Sequence, residues 1–353
     1  METLAAPSAA LSERNRAASA LQLSFLERIF AVKAHRVLLL TFLSLAALPL
    51  VAQVNDTYVI PVAANAHGAA GSNWKTQISI FNPQLDRTLT ITIAFVPTGG
   101  ATGDRYTIDV PANSMAYSDN ILADSQFAQA SGSLLVYADT ADNPGTTLLT
   151  RSFLVTSNTY NDLGNHGTYG QTIPGIWTGL QDFSDRVSAV AHGIQHNLAQ
   201  GWRTNIGALN LGRCNVTLLV SVYDVDGRTL VKQAPFELPP LGHMQESLGN
   251  ILPLLDRGSV EFMVDDPCRT NADNAAVVFP YTSTVDQLSG DPQYQSPTLL
   301  APPGSIFSKA AAVAPAQIGK PIDNARAHAI RETMNFRGSG RLVRETSGWR
   351  ITR

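Results

Sequence analysis

The residues of this 353-residue chain that could perform nucleophilic chemistry form one incomplete pattern. Ser72 and Lys75 have the Ser-x-x-Lys spacing of an acyl-serine site, and the triplet Ser118-Asp119-Asn120 supplies a second element of that pattern. The third element, Lys-Thr-Gly, does not occur in the sequence. Lys75 also begins a predicted strand, in which residues three apart point to opposite faces. We therefore identify no catalytic residues in the sequence.

Oxygen ligands cluster in two acidic loops. Asp139 and Asp142 lie in the first loop, and Asp265 and Asp266 begin the second. Extracellular modules bind Ca²⁺ weakly, with a Kd of about 10⁻⁴–10⁻³ M, and make few demands on the ligands. These four aspartates are the calcium candidates, with solvated loop tips as the alternative. No other cofactor is expected, because the sequence has neither a phosphate-binding loop nor a dinucleotide fingerprint.

Nitrogen and sulfur ligands are few. His192 and His196 stand four residues apart, which on a helix would place them on one face, but Gly193 between them favours a solvated loop. Neither His-Glu-x-x-His nor Cys-x-x-Cys occurs. Cys214 and Cys268 are the only cysteines. An even count in an exported chain permits one disulfide bridge between them, and two free thiols are the alternative.

The apolar run from Val37 to Ala52 predicts export. It follows Lys33 and Arg36 and ends in a small residue, which is the three-part pattern of a secretory signal. The run is shorter than the ~20 residues that span a bilayer comfortably. We expect residues 1–53 to be a leader and signal peptide, with an uncleaved membrane anchor as the alternative. The expected compartment is the periplasm or the exterior.

Composition and charge narrow the class of protein further. Hydrophobic residues make up 44% and charged residues 15%, with 26 Gly and 20 Pro, which favours a β-rich extracellular protein over a disordered chain. The net charge of -3 conceals a basic end, since residues 301–353 carry nine basic and three acidic side chains. The remaining body is acidic and repels phosphate backbones, so no nucleic-acid partner is expected. Residues 301–353 predict a disordered basic tail without a packed domain.

An internal repeat organises residues 54 to 300. The stretch Trp74–Asn82 recurs as Trp202–Asn210, with Trp, a basic residue, Thr, Ile and Asn in the same places. Further matches follow in the same order: Asp109-Val110-Pro111 with Glu237-Leu238-Pro239, Asn120-Ile121-Leu122 with Asn250-Ile251-Leu252, Gly132-Ser133 with Gly258-Ser259, and Thr156-Ser157 with Thr282-Ser283. This pattern predicts a duplication. The two recurring tryptophans are predicted to close each copy, with ligand stacking as the alternative.

Each copy has the residue alternation of β-strands. Apolar residues alternate over 89–95 and again over 216–222, and Asp226-Gly227 between two apolar runs predicts a hairpin. About seven short strands per copy, with helical turns only near 120–129 and 246–255, predict an all-β chain of two tandem antiparallel immunoglobulin-like β-sandwiches; a barrel is the alternative. The expected boundaries are 54–160 for repeat 1, 161–186 for a linker and 187–300 for repeat 2.

The end of the first copy carries a further signature, Thr159-Tyr160-Asn161 followed by Gly-Thr-Tyr-Gly-Gln-Thr-Ile-Pro-Gly over residues 167–175. Together with the repeated Trp-basic-Thr-x-Ile stretch, it resembles tandem repeat domains of uncharacterised secreted bacterial proteins. The second copy departs from this signature over residues 286–292. The resemblance covers about 58–300 and implies a fold and a compartment, but no catalytic residue.

These observations predict an exported, non-catalytic structural or interaction protein that binds a surface, a glycan or an extracellular protein. Membrane contact is expected only through the signal or an uncleaved anchor. The alternative is an accessory domain or weak hydrolase with a site at the domain interface or in the acidic loops. A polar pocket in only one copy would favour the alternative, whereas the same surface in both copies would favour a scaffold.

Overall fold

The predicted all-β class is confirmed. A computed structural model describes residues 57–68, 71–100, 104–125, 130–138, 152–178, 188–268, 276–300, 339–345 and 348–352. These residues form twenty strands and one α-helix of four residues, α1 (Ile121–Asp124). No helix among them is long and apolar enough to cross a membrane. The predicted leader and signal over 1–53, the loop with Asp139 and Asp142, and tail residues 301–338 lie outside the described residues.

Residues 57–178 form the first region, which contains two antiparallel sheets. Its strands are β1 (Thr57–His67), β2 (Asn73–Asn82), β3 (Leu89–Pro97), β4 (Arg105–Val110), β5 (Ser114–Ser118), β6 (Ala130–Ala138), β7 (Leu154–Asp162), β8 (Thr168–Pro174) and β9 (Ile176–Trp177). Sheet 1a has the order β4-β3-β6-β1, with β9 on the edge of β1, and sheet 1b has the order β5-β2-β7-β8. A short pairing of β1 with β2 at Ala66 and Trp74 joins the two sheets.

Residues 188–300 form the second region, with the same pairings. Its strands are β10 (Ser188–His196), β11 (Trp202–Asn210), β12 (Val216–Asp224), β13 (Leu230–Leu238), β14 (His243–Ser247), β15 (Leu255–Asp265), β16 (Val278–Asp286), β17 (Pro292–Gln295) and β18 (Thr298–Leu300). Sheet 2a has the order β13-β12-β15-β10-β18, and sheet 2b has the order β14-β11-β16-β17. The predicted hairpin at Asp226-Gly227 joins β12 to β13, and Gly227 has the positive φ of 65° that such a turn favours.

Each region encloses its own apolar core between its two sheets. In the first core, Ile78 and Ile80 from sheet 1b meet Ile93 and Leu134 from sheet 1a. The second core contains side chains from both sheets of the second region in the same way, as shown by Ile206 beside Phe262. Alternation along each strand places every second side chain in the core, so the fold is β-sandwich-like in each region.

A glycine occupies the same place in both regions because two backbones approach closely there. A Cβ atom at Gly132 of β6 would lie 2.1 Å from the carbonyl oxygen of Val96. At Gly258 of β15 it would lie 2.2 Å from the carbonyl oxygen of Tyr223. The register of the neighbouring strand pair shifts beside each glycine. The recurring Gly-Ser therefore reflects a steric requirement of the fold.

The structure differs from the predicted boundaries at the linker, 161–186. Residues 168–174 pair with β7 as β8, and Ile176–Trp177 pair with β1 as β9, so most of this stretch belongs to the first region. Gly164 and Gly167, both with positive φ, turn the chain back after β7. Only Gln171 and Ile173 of β8 are buried, and this short alternation explains why the sequence favoured a linker.

The tail prediction, 301–353, also needs correction. β19 (Ser339–Glu345) and β20 (Gly348–Thr352) form an antiparallel pair, and β19 runs parallel to β4 at the edge of sheet 1a. An edge strand offers unpaired backbone groups to any strand that reaches it, whatever the charge of its side chains. The helical turns predicted near 120–129 and 246–255 are confirmed as α1 and a 3-10 turn at Leu248–Asn250.

Candidate functional site

The two regions meet through one face of each. On the outer face of sheet 1a, apolar side chains pack against a second group at one end of sheet 2b and its adjoining loops. The cluster consists of Val59, Ala94, Val96, Leu135, Tyr137 and Ile176 from the first region, and Leu209, Leu211, Leu241, Val277 and Phe279 from the second. Every member is buried. This face of the first region is therefore an interface inside the chain.

His243 of β14 is the polar centre of this interface. Its Nδ1 atom lies 2.9 Å from the Thr98 hydroxyl, and its Nε2 atom lies 3.1 Å from the Tyr281 hydroxyl. The Gly99 backbone N–H donates to the His243 carbonyl at 3.0 Å. Burial lowers the pKa of His243 to about 3, although a hydrogen bond with the Pro61 backbone opposes the shift. His243 is thus neutral and joins both regions.

Tyr281 of β16 extends the contact into the core of the first region, where it is fully buried. Its ring needs the space above Gly207, because a Cβ atom there would lie 2.2 Å from the ring. Gln171 of β8 and Ser283 of β16 add a buried hydrogen bond of 3.1 Å between the regions. Apolar packing, hydrogen bonds and a shape match together fix this interface.

The corresponding face of the second region, the outer face of sheet 2a, has different chemistry. Strand register places Glu261 where the first region has Leu135, Ser221 where it has Ala94, and Tyr223 where it has Val96. Glu261 and Tyr223 remain partly exposed. All three positions are apolar and buried in the first region and polar in the second, where Glu261 and Tyr223 are partly exposed and Ser221 is buried.

A hydrogen-bond network crosses this face. The Tyr223 hydroxyl donates to Glu261 Oε2 at 2.8 Å, and the Ser188 hydroxyl donates to Glu261 Oε1. Gln233 Nε2 donates to the Ser221 hydroxyl at 2.8 Å. The hydrogen bond to the Glu261 carboxylate raises the pKa of Tyr223, with burial as the second cause. Both Glu261 oxygens accept a hydrogen bond, so the side chain is held in place by two donors.

An open cleft of about 500 Å³ lies at one end of this face, beside the β12–β13 turn. Its charged and polar lining consists of His192, Tyr223, Asp224, Arg228, Arg257, Ser259 and Glu261. Two cations, two carboxylates and one aromatic ring can recognise a polar ligand or a protein surface by hydrogen bonds and charge. The lining residues of the cleft all belong to the second region.

The residues of the incomplete acyl-serine pattern make structural contacts. Lys75 Nζ forms an ion pair with Asp162 Oδ2 at 2.5 Å, which raises the pKa of Lys75. The Ser72 hydroxyl accepts a hydrogen bond from the Trp74 indole at 2.9 Å. The Ser118 hydroxyl donates to Asp124 at 2.5 Å. These side chains support strands and turns.

The second acidic loop is built around a buried carboxylate. Asp266 is fully buried and accepts hydrogen bonds from the backbone N–H groups of Cys268, at 2.8 Å, and Ala276, at 2.6 Å. Asp265 is exposed at the end of β15. No group of three His, Cys, Asp or Glu side chains among the described residues has metal-holding geometry. The other calcium candidates, Asp139 and Asp142, lie outside that part of the chain.

Cys214 and Cys268 form a disulfide bridge with a Cα–Cα distance of 6.4 Å. The bridge joins the entry of β12 to the loop after β15, so it closes the same end of the second region as the Asp266 hydrogen bonds. No cysteine occurs in the first region. The bridge is therefore a feature that distinguishes the two regions.

The loop predicted for His192 and His196 is wrong, since both lie in β10. The register shifts at Gly193, whose φ is 69°, so the two rings separate. His196 is buried and accepts a hydrogen bond from the Thr204 N–H at 3.2 Å, and burial lowers its pKa. His192 is exposed at the cleft. A bulge rather than a loop explains the glycine.

Two buried asparagines, Asn82 at the end of β2 and Asn210 at the end of β11, occupy equivalent positions in the two regions. We call these positions the asparagine corners. Asn82 Nδ2 donates to the carbonyls of Arg87, Val110 and Pro111 at 2.9–3.1 Å. Asn210 Nδ2 donates to the carbonyls of Cys214, Leu238 and Pro239 at 2.9–3.2 Å. Their Oδ1 atoms accept from Gln84 and Gly212, two residues further on. Trp74 and Trp202 are only half-buried, so neither is a fully enclosed plug.

Sequence reasoning missed the cleft because its residues come from strands that pair only in the folded chain. Glu261 and Tyr223 each fit an ordinary alternating strand, and only the register of β12 with β15 places them together. The signal that could have found them was the repeat itself, since Glu261 falls where the first copy has Leu135. A comparison with models of known protein families found no match, and a comparison with curated proteins found none either.

Proposed function

We propose that the chain is an exported, non-catalytic interaction protein that binds a partner through the outer face of sheet 2a. The carrying observation is that the same face of the first region is a protein interface within this chain, formed by the cluster around Leu135 and Val96. In the second region this face is partly exposed, carries Glu261 and Tyr223, and has a cleft at one end. A surface that buries a neighbouring sandwich in one copy has the size and flatness to bind a protein in the other.

Duplication of one ancestral β-sandwich is part of this proposal. Five strand pairings of the first region have counterparts in the second: β1–β6, β2–β5, β2–β7, β3–β4 and β3–β6 correspond to β10–β15, β11–β14, β11–β16, β12–β13 and β12–β15. The asparagine corners and the paired glycines support it further. In each region the second strand pairs with the fifth and the third pairs with the sixth, as in an immunoglobulin domain, and this supports an immunoglobulin-like origin. The first and seventh strands differ, because each lies in the sheet opposite to the one that it occupies in an immunoglobulin constant domain.

Export rests on two features. The run Val37–Ala52 has the pattern of a secretory signal. The bridge Cys214–Cys268 belongs to an oxidising compartment. We therefore propose a secreted or periplasmic location. Intact mass of the protein recovered outside the cytoplasm tests this: a chain that begins after Ala52 supports the proposal, and a chain that retains Leu39 contradicts cleavage.

A glycan is the second candidate ligand, because the cleft combines the Tyr223 ring with fixed hydrogen-bond acceptors and donors. Such a combination suits a polar sugar. The lining of this cleft comes from the second region alone, and a pocket confined to one copy is the arrangement that favours the hydrolytic alternative. Its chemistry favours binding, since the Glu261 carboxylate is already held by Ser188 and Tyr223.

The test exposes the purified full chain to an array of glycans, a panel of immobilised extracellular proteins and a panel of hydrolase substrates. We expect binding without turnover, and loss of at least about tenfold in affinity for Glu261→Arg. Asp86→Arg is the matched control, because Asp86 is an exposed carboxylate of the first region that pairs with Arg87 and does not line the cleft. Equal binding by both variants, or turnover of any substrate, would overturn the proposal.

A further inference from the structure

Within the chain, sheet 2b packs against the outer face of sheet 1a and also reaches the edge of sheet 1b, where Ser283 of β16 meets Gln171 of β8. Among the described residues, the outer faces of sheets 1b and 2a keep exposed or half-buried side chains, such as Met115 and Glu261. These two faces, the end faces, are the counterparts of the outer faces of sheets 2b and 1a, which meet inside the chain. Each end of the molecule carries a version of a surface that already recognises its complement.

We propose that a second copy of this chain is the partner, and that its first region docks through sheet 1b onto the outer face of sheet 2a. This inference rests on the proposed function, because it names the partner of the same face. Copies would then join head to tail, and each new contact would repeat the arrangement of the contact within the chain.

The free face of sheet 1b carries an apolar row. Strand register places Met115 of β5, Phe81 of β2 and Leu154 of β7 side by side. Met115 is 55% exposed and Leu154 is 46% exposed. The counterparts of this row in sheet 2b are His243, Leu209 and Phe279, all of which are buried against the first region. The row therefore occupies the position of an established contact surface.

One pair of residues shows matched change at the two ends. Inside the chain, Thr98 after β3 hydrogen-bonds to His243 at 2.9 Å. The counterpart of Thr98 is Val225 after β12, and the counterpart of His243 is Met115. Val225 is 70% exposed. In the proposed contact, the apolar pair Val225 and Met115 would therefore take the place of the polar pair Thr98 and His243.

The symmetry of the proposed contact determines whether association stops at two copies or continues. The two surfaces differ, so the interface is heterologous and does not close on itself after two copies. Association should continue with concentration and give a series of oligomers. An isologous dimer would instead stop at two copies.

Sedimentation velocity of the purified full chain, from about 1 to 100 μM, tests the inference at the affinities of weak interfaces. We expect the weight-average mass to rise with concentration beyond that of two copies. Met115→Arg and Val225→Arg should each reduce association at least about tenfold, because each places a charge in the apolar contact. Leu198→Arg is the matched control, since Leu198 is 57% exposed in the 3-10 turn between β10 and β11, belongs to no strand of sheet 1b or 2a and does not line the cleft.

Mixing the two variants gives the sharpest result. Met115→Arg keeps an intact sheet 2a face, and Val225→Arg keeps an intact sheet 1b face. An equimolar mixture should therefore form complexes of two chains and none larger. A monomer at every concentration, or a wild-type dimer that neither variant disturbs, would overturn the inference. If the chain stays monomeric while Glu261→Arg still abolishes binding to the glycan or protein panel, the proposed function stands without self-association.

Discussion

The outer faces of sheets 1a and 2a occupy the same place in two closely matched frameworks, yet one is closed and the other is open. Leu135 lies in an apolar cluster that joins the two regions, whereas Glu261 lies in a hydrogen-bond network at an open cleft. The cores, the glycines and the asparagine corners differ little between the regions. The comparison indicates that this framework accepts either apolar or polar side chains on its outer faces. Residues on these faces are therefore the ones that can differ in function between the two regions.

Reciprocal exchange of the two residues should give the largest effect. Leu135→Glu places an unpaired carboxylate in the buried cluster and should lower the free energy of unfolding by about 3–5 kcal/mol. Glu261→Leu should change it by less than about 1 kcal/mol, because Tyr223 and Ser188 remain near solvent. Urea denaturation of both variants measures this. Similar losses from the two substitutions would mean that the faces are equally buried.

Removal of the disulfide, which belongs to the second region, should have the next largest effect on stability. Cys214→Ser with Cys268→Ser should lower the free energy of unfolding by about 2–4 kcal/mol, since the bridge restricts the unfolded chain. Thermal denaturation with and without reductant measures the loss. Reductant should have no effect on the double variant, which serves as the control. Unchanged stability of the wild type after reduction would contradict a stabilising bridge.

The asparagine corners should respond alike. Asn82→Ala and Asn210→Ala each leave three carbonyl groups without their donor, so each should lower the free energy of unfolding by about 2–3 kcal/mol. Asp at the same positions keeps the volume and the acceptor but loses the donor, and should also destabilise. Denaturation midpoints compare the four variants. A large loss at one corner only would break the equivalence of the two frameworks.

His243 should make the inner interface sensitive to acid. Its pKa is about 3 in the folded chain and about 6.5 when unfolded, so protonation favours the unfolded chain as the pH falls. Stability should be complete above about pH 6.5 and should fall by about 1 kcal/mol by pH 5.5. Buried His196 adds to the loss in the same direction.

The control for this pH effect is His243→Met, which introduces the residue that the first region has at this position. It should reduce the slope of stability against pH between 6.5 and 5.5. Asp162 and Asp286, whose pKa values are lowered by hydrogen bonds, lose their contribution only at more acidic pH. An unchanged slope in the Met variant would show that His243 does not titrate on unfolding.

Much of the framework follows from the sequence, because alternation and repetition are local properties. The strands around residues 89–95 and 216–222, the Asp226-Gly227 hairpin and the two short helical turns were all predictable. β5, β14 and β17 were missed, since each has only four or five residues and depends on a neighbour for its pairing. The sequence match of Thr156-Ser157 with Thr282-Ser283 is wrong by one residue. Strand register makes Thr156 the counterpart of Tyr281 and Ser157 the counterpart of Thr282.

The candidate site could not be predicted, for a related reason. Its residues lie on three strands, and their proximity depends on register that no local pattern reveals. Asp266 shows the opposite error: a carboxylate in an acidic loop suggests an ion ligand, whereas it serves two backbone N–H groups. Burial, which decides between these roles, is a property of the whole fold.

The parallel contact of β19 with β4 links the completion of an early sheet to a late segment. Arg105 pairs with Ser339, so the edge of sheet 1a stays open until the intervening chain has been synthesised. Contacts between such distant positions slow folding and lengthen the exposure of a bare strand edge to other chains.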